Sequence, residues 1–596
     1  MGPLVHLLGV PRVVLHDGMA VELRGHKTWG LLAFLVSQRG PVSRQHLARL
    51  LFENAEDPLA ALRWNLSELR RALGPESLRG DAIGLQRDSL GFVDVDVLLR
   101  GSSADGVRLA NLGRDLLEGL SFPSSPSFDV WLQAERRRIE ATSRAVLHEA
   151  ALARLAAADR DGAVELAGRL LALDPLAEAA HVLLVRCLAA AGDGVGAARQ
   201  VAACRQLFQR ELGVQPGPAL AAALHTMTAT AVARPATGRA GVLAQLEAGE
   251  AAIGAGALEA GLQCLRRAIA DADLAGDLTL RTRARVAFGG ALVHAARGRD
   301  GEGAAALHEA LAIGRVAAPA SSAAACRELG HVDFLLGHYE RALAWADQGE
   351  QLAGDNLAER ARIATLQGSI LSDMAYYDAA IEQLQLGRTH AEGAVDAGQR
   401  IYAETMLART FLLTGRMDEA SALLERCVDH ARRMWTAFLP WPQSLRAEID
   451  LLGGRIDEAA DRFEHAFALG CELGDPCWEG IAGRGLGLVA AARGEPSRGI
   501  AILLDALGRC GRLPDAYIWG RAYVLDSLCR LAIEHGDPRA GAWADELIGV
   551  TSGAGMRELL ARARHHQGRL GKPGAADAAR LLASEVRNEV LSKAMS

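Results

Sequence analysis

The sequence predicts a mainly α-helical protein, with a small α+β unit at the N-terminus, an all-α middle and an α-solenoid of helix-pair repeats behind it. Three observations predict this. Residues 4–23 and 78–97 alternate apolar and polar side chains on either side of three segments with helical apolar spacing. Glycines recur at a nearly fixed interval through the second half of the chain. The composition is rich in Ala, Gly and Leu, with 50% hydrophobic but only 5% aromatic residues, a texture suited to close helix packing.

Val13 and Leu15, then Val21 and Leu23, alternate around Asp17-Gly18, as in short antiparallel strands joined by a tight turn. A first helix is expected near 27–38, carried by Leu31, Leu32, Phe34 and Leu35. Ser43 is placed to cap a second, whose Leu47, Leu50 and Leu51 recur at helical spacing. Asp57 and Pro58 form an N-cap and first-turn pair for a third. On that third helix Leu59, Leu62, Leu66, Leu69 and Leu73 fall within one narrow arc, each residue turning about 100°. Arg63, Trp64, Ser67, Arg70 and Arg71 lie off the arc. A helix held by one face and offering Arg, Ser and an aromatic on the other is shaped to enter a DNA major groove. Past Gly74 the alternation resumes with Leu85, Phe92, Val93, Val95 and Val97, broken by Gly84 and Gly91, and reads as a closing hairpin. Strands, three helices and a hairpin are the element order of a winged helix.

With these residues in place, 5–100 resemble the OmpR/PhoB-type winged helix of the SARP family of bacterial transcriptional regulators. The resemblance is carried by Leu7-Leu8-Gly9, Val21 to Gly25, Leu31-Leu32-Ala33, Gly40-Pro41-Val42-Ser43 and, most strongly, Leu66 to Gly74. Residues 113–220 resemble the bacterial transcriptional activator domain that comes next in that family. Gly113 to Leu117, Trp131 with Glu135-Arg136, Leu173-Asp174-Pro175 and Glu211 to Pro216 fall in the expected order. Three departures stand out: Phe52 where the family often has Trp, Val201 where it often has Tyr, and Glu68 in a usually more basic stretch, where it would alter base preference.

Gly298, Gly337, Gly415, Gly454, Gly494 and Gly536 recur at steps of 39, 78, 39, 40 and 42, with Ala375 in the skipped place and Gly256 a further 42 before. Ala342, Ala380, Ala420 and Ala459 come five residues after several of these positions. Gly closes a helix at positive φ, and the small Ala lets the next helix approach. Such units resemble tetratricopeptide repeats, which stack into a solenoid with a concave binding face. The expected domains are therefore a winged helix at 1–100, an activator domain at 101–228, a linker at 229–241, repeats at 242–570 and a C-terminal tail at 571–596.

The net charge is −7, and only Lys27, Lys572 and Lys593 are lysines. Residues 1–100 hold 12 Arg and Lys against 11 Asp and Glu, a net of +1, which leaves −8 for the remainder. A general nucleic-acid coat is excluded, so any DNA contact is local and sequence-guided. The nine cysteines are scattered without a Cys-x-x-Cys pair, which argues for reduced, mostly buried thiols. No N-terminal signal and no run of about 18 apolar residues occurs, so a cytoplasmic location without membrane contact is expected. No P-loop, Gly-x-Ser-x-Gly or His-Glu-x-x-His motif is found, so neither an enzyme nor a bound cofactor or metal is expected. Larger members of the resembled family carry an NTPase module that has no counterpart here.

The candidate DNA-binding residues are Arg63, Trp64, Ser67, Arg70 and Arg71, with Ser43 and Arg44 at a helix start suited to phosphate. Trp64 either fills a gap beneath the helix or touches a thymine methyl. Arg79 and Arg87 flank the expected wing, as backbone contacts or as ordinary surface charge. Glu53, Glu56 and Asp57 form an acidic turn that the resemblance places near RNA polymerase, against the plainer reading of a cap and solvated charge. Trp435, Phe438, Trp441 and Trp478 form either an effector pocket or a filled helix corner. His565-His566 reads as solvated tail. The resemblance implies an activator binding promoter direct repeats as two copies, with RNA polymerase or its sigma factor as a partner and an effector or protein on the repeats. The alternative from another class is a tetratricopeptide-type interaction scaffold that uses the winged helix for protein contacts, favoured by the near-neutral first 100 residues and by Glu68.

Overall fold

A computed structural model describes residues 2–15, 17–38, 40–225, 238–254, 257–296, 298–513, 517–586 and 588–595. Most of the expected linker and Gly256 lie outside the described residues, and the last residues assigned to the linker already belong to a helix, Arg239–Gly254.

The N-terminal unit runs β1 (Leu4–His6), β2 (Arg12–Val14), β3 (Ala20–Val21), α1 (His26–Ser37), α2 (Arg44–Phe52), α3 (Pro58–Leu73), β4 (Leu78–Arg79), β5 (Gly84–Leu85), β6 (Phe92–Val93) and α4 (Asp94–Arg100). The sheet order is β3-β2-β1-β6, with β6 parallel to β1 through Leu4 opposite Phe92. The hairpin is β4 with β5, a separate two-stranded wing. The closing hairpin expected over 78–97 is therefore shorter, and Val95 and Val97 lie on a helix. Asp94 explains the switch: its carboxylate accepts from its neighbour Val95 N (2.8 Å) and from Leu7 N and Leu8 N (2.9 and 3.0 Å), ending β6 and starting α4.

The winged helix shares one core with the helices of the middle region. After α5 (Ser103–Gly106), the 31-residue α6 (Pro126–Ala156) inserts Phe128, Leu132, Ile139 and Val146 into the cluster formed by Leu31, Leu35, Leu47, Leu66 and Leu69. Trp131 meets Phe34 edge-on at 5.0 Å. Residue 100 thus divides the chain but not its core.

From Arg239 onward the chain is a run of antiparallel helix pairs. The spacing argument holds in detail: Gly298, Gly337, Gly415, Gly454, Gly494 and Gly536 all have φ between 68° and 84°, and Ala375, in the skipped place, adopts the same left-handed conformation at φ 60°. Ala342, Ala380, Ala420 and Ala459 are fully buried where the next helix crosses. No helix among the described residues is long and apolar enough to cross a membrane.

Two expectations fail in the C-terminal part. The tail at 571–596 contains two packed helices, Ala575–Val586 and Glu589–Met595, which bury Ala579, Ala583, Val586, Leu591 and Met595. His566 is no solvated tail residue: it sits inside the helix Arg557–Arg569 with Nε2 2.8 Å from Asp526 Oδ1, because its helix face turns toward the preceding repeat. The array also winds back on itself. Tyr517, at the start of helix Ile518–Glu534, packs its ring 5.2 Å from Phe334 and donates to Asp373 Oδ2 (2.7 Å). Arg409 bonds Asp373 and the Tyr517 hydroxyl from within that seam. Where the expected concave face curves in, Tyr517, Arg409 and Asp373 bond across it.

Candidate nucleic-acid interface

α3 is built to expose one side. Asp57 Oδ1 accepts from Ala60 N (2.9 Å), Pro58 occupies the first turn, and Gly74 (φ 101°) ends the helix. Leu62, Leu66, Leu69 and Leu73 are buried against α1 and α2, and Thr28 Oγ1 donates to Asn65 Oδ1 (2.7 Å) to fix α3 on α1. Leu59 does not join that stripe: it lies in the first turn, short of the packed region, and is 42% exposed.

On the opposite side Arg63, Trp64, Ser67 and Arg71 are exposed. Trp64 is 52% exposed, so it does not fill a gap beneath the helix. Arg63 is held loosely, 3.7 Å from Asp57. Arg71 is steadied by Glu68, whose carboxylate it meets with Nε (3.0 Å) and Nη2 (2.6 Å), and by the Glu22 carbonyl (2.9 Å). These bonds hold Glu68 below the ordinary carboxylate range although burial opposes them. Glu68 also accepts from Arg24 N (3.2 Å) and is buried rather than presented on the exposed face.

Four other candidates separate into two kinds. Arg70 and Arg87 are braces. Arg70 reaches the Leu78 carbonyl (3.4 Å) and so ties α3 to the wing. Arg87 donates to the carbonyls of Val36 (2.7 Å) and Gln38 (2.9 Å) and to Asp96 (3.0 Å), capping the C-terminus of α1. The sequence pattern missed this because both partners are remote carbonyls. Arg44 and Arg79 stay at the wing. Arg44 donates to the Asp81 carbonyl (3.1 Å) across the wing tip, and exposed Arg79 pairs with Glu76 (2.8 Å). Ser43 is the N-cap of α2, accepting from His46 N (3.2 Å). Val42 and Ile83 exchange backbone bonds of 2.9 and 2.7 Å, which joins the wing to the start of α2.

One exposed cation was not anticipated. Arg24, just before α1, stands beside this face, since its backbone bonds Glu68 and a Cβ at the neighbouring Gly25 would stand 3.9 Å from the Trp64 ring. It falls in a loop, where no periodicity marks it.

In the acidic turn Glu53 and Glu56 are exposed, while Asp57 is committed to capping. The turn is pinned from behind by Asn54 to the Ser124 carbonyl (3.1 Å) and Ser125 Oγ to the Leu51 carbonyl (2.6 Å). Far away, the four aromatics pack on one another: Trp435 on Phe438 (4.5 Å) and Trp441 on Trp478 (5.3 Å), with Phe438 and Trp441 buried.

The segments that carry the family resemblance converge in space. Leu117 N donates to the Leu7 carbonyl (2.9 Å) and Gly9 N to the Asp115 carbonyl (2.8 Å), so Leu7-Leu8-Gly9 lies against Gly113 to Leu117. A Cβ at Gly113 would stand 2.8 Å from the Leu173 side chain, and Arg136 donates to the carbonyls of Leu116 and Leu117 (2.8 and 2.9 Å).

Residues 98–227 match the family described as bacterial transcriptional activator domain. No curated protein matches the chain. Among solved structures, similar ones include a Rap protein complexed with Competence and Sporulation Factor (14% identity, 59% of this chain and 98% of that one, TM-score 0.44). The apo quorum sensor NprR from B. thuringiensis gives 13% identity over 58% of this chain and 99% of that one, TM-score 0.38. Mycobacterium tuberculosis EmbR in complex with a low affinity phosphopeptide gives 15% over 47% and 72%, TM-score 0.32. Residues 98–227 thus carry a bacterial transcriptional activator domain, with an α/β unit of winged-helix order before it and a run of helix pairs behind it.

Proposed function

We propose that this protein binds promoter DNA in a sequence-specific manner through α3 and activates transcription from there. The carrying observation is the division of α3: Leu62, Leu66, Leu69 and Leu73 are buried, while Arg63, Trp64, Ser67 and Arg71 face solvent in spite of the nearly 500 residues C-terminal to the unit. Arg63 and Ser67 are the base-reading side chains, Trp64 supplies apolar contact, and Arg71, Arg44, Arg79, Arg24 and Ser43 meet phosphate. Two copies sit on direct repeats about one helical turn apart. Glu53 and Glu56 offer an acidic surface to RNA polymerase or its sigma factor, and the repeat array receives an effector or protein signal. The scaffold alternative loses one of its two grounds, because Glu68 is buried.

The test is a gel shift on the protein's own upstream region at several salt concentrations. Binding should be specific, and Arg63→Ala with Ser67→Ala should abolish specificity while leaving the melting temperature in place. If that double variant binds the region with unchanged affinity and salt slope, α3 is not the reader.

A further inference from the structure

A cavity of about 430 Å³ opens between the sheet of the N-terminal unit and the first turns of the activator domain. Its walls are His6 of β1, Leu8, Phe92 of β6, Asp94 and Val97 of α4, and Leu109 just after α5. Asp105, Arg108 and Ala110 line it as exposed residues at the rim. None of these residues lies on α3. The two sides are tied together, since Asn111 Nδ2 donates to the Leu8 carbonyl (2.7 Å) and Leu117 N to the Leu7 carbonyl (2.9 Å). The space is therefore a built part of the junction, with the size and largely apolar walls of a small-molecule site.

Its charge is one-sided. Asp94 is 3% exposed. The carboxylate accepts from Leu7 N, Leu8 N and Val95 N, three donors for about four lone-pair positions. Among the described residues it has no cationic partner. Burial outweighs those backbone bonds and lifts Asp94 to about 6, so its charge is short of compensation. The walls supply no cation. Burial, then Arg12, push the His6 imidazole down, and the uncharged ring stands 5.3 Å from Phe92. Arg108 is held at the rim, 3.7 Å from Asp105. Apolar and aromatic walls with one carboxylate in excess suit a cation that carries an apolar body.

We propose that this cavity binds a small organic amine, whose ammonium group donates to Asp94 while a ring-bearing body lies among His6, Leu8, Phe92, Val97 and Leu109. A carboxylic acid of the same shape is disfavoured, because it brings a second anion beside Asp94. The ligand touches both the N-terminal unit and the activator domain, so its binding stabilises their junction. The site stands apart from the DNA-binding reading of α3 and does not depend on it.

The experiment uses the full chain and three probes that share an indole ring and differ in charge: tryptamine, tryptophol and indole-3-acetate. Calorimetry at neutral pH measures binding, and the methyl resonances of Leu8, Val97 and Leu109 report the place. Tryptamine should bind with a dissociation constant below about 1 mM, at least about tenfold tighter than tryptophol, and indole-3-acetate should not bind. The three methyl groups should shift with tryptamine, and the melting temperature should rise with its concentration. Asp94→Asn should bring tryptamine down to the affinity of tryptophol. Because Asp94 also starts α4, Ala110→Trp provides a variant that obstructs the rim and leaves the carboxylate in place. It should abolish tryptamine binding with an unchanged melting temperature of the free protein. Tryptophol or indole-3-acetate binding as tightly as tryptamine overturns the choice of an amine. Absence of binding by every probe, or tryptamine binding that leaves the three methyl groups unmoved or survives Ala110→Trp, overturns the site. A gel shift with the same proteins tests α3 separately.

Discussion

Glu68 and Arg71 stand one turn apart on α3 and bond each other, with the carboxylate turned inward to Arg24 N and the guanidinium left at the rim of the exposed face. A residue that looked like an acidic intrusion into a reading surface is instead the post to which a surface arginine is tied.

That arrangement separates two arginine substitutions. Among the described residues, Arg63→Ala removes a side chain whose ion-pair contact is 3.7 Å to Asp57. It should cost about 1–3 kcal/mol of discrimination at one base pair and leave the melting temperature unchanged. Arg71→Ala should weaken DNA binding and also lower the melting temperature, because Glu68 loses its charged partner. Calorimetry beside gel shifts distinguishes the two patterns.

Trp64 provides a sharper case. A half-exposed ring packs little, so Trp64→Ala should change stability by no more than about 0.5 kcal/mol. Binding to the upstream region should nevertheless fall severalfold. A large loss of stability with intact binding would assign the ring to packing.

The buried His566–Asp526 pair sets an acid limit. Burial raises the pKa of Asp526, but the hydrogen bond and charge of His566, with Arg562 and Arg530, outweigh it and hold the group at about 2 against an ordinary 3.8. A folded pKa below the unfolded one gives stability that is present above about pH 4 and lost as pH falls toward 2, here about 2 kcal/mol. His566→Ala should move the acid limb of the melting curve to higher pH. Melting temperatures between pH 2 and 6 check this.

Repeat closure can be tested at one glycine. Gly454 has φ 78° and open space where a Cβ would stand, so Gly454→Ala adds only backbone strain and should cost about 1 kcal/mol in denaturant unfolding. Ala375→Gly should be close to neutral, since relief of the same strain is offset by the loss of a buried methyl.

Local chemistry made much of the protein legible. Ser43 and Asp57 mark helix starts because a cap needs only its next three residues, and the glycine interval marks repeat turns because positive φ is a single-residue property. The exposed side of α3 is legible from its apolar spacing, apart from Leu59, where the helix has outrun its partner. Arg70, Arg87 and Glu68 were not legible, because their partners are a carbonyl on the wing, carbonyls at the end of α1 and the backbone of Arg24. The sequence by itself determined the helices, their order, the repeat period and the domain that the activator family matches. Only the tertiary structure decided which arginines are braces, that the winged helix shares a core with α6, and that the helix Ala575–Val586 returns to α2. The reason is physical: caps and periodicity act within a few residues, whereas His46 and Glu585 are far apart in the chain and meet only in the tertiary fold.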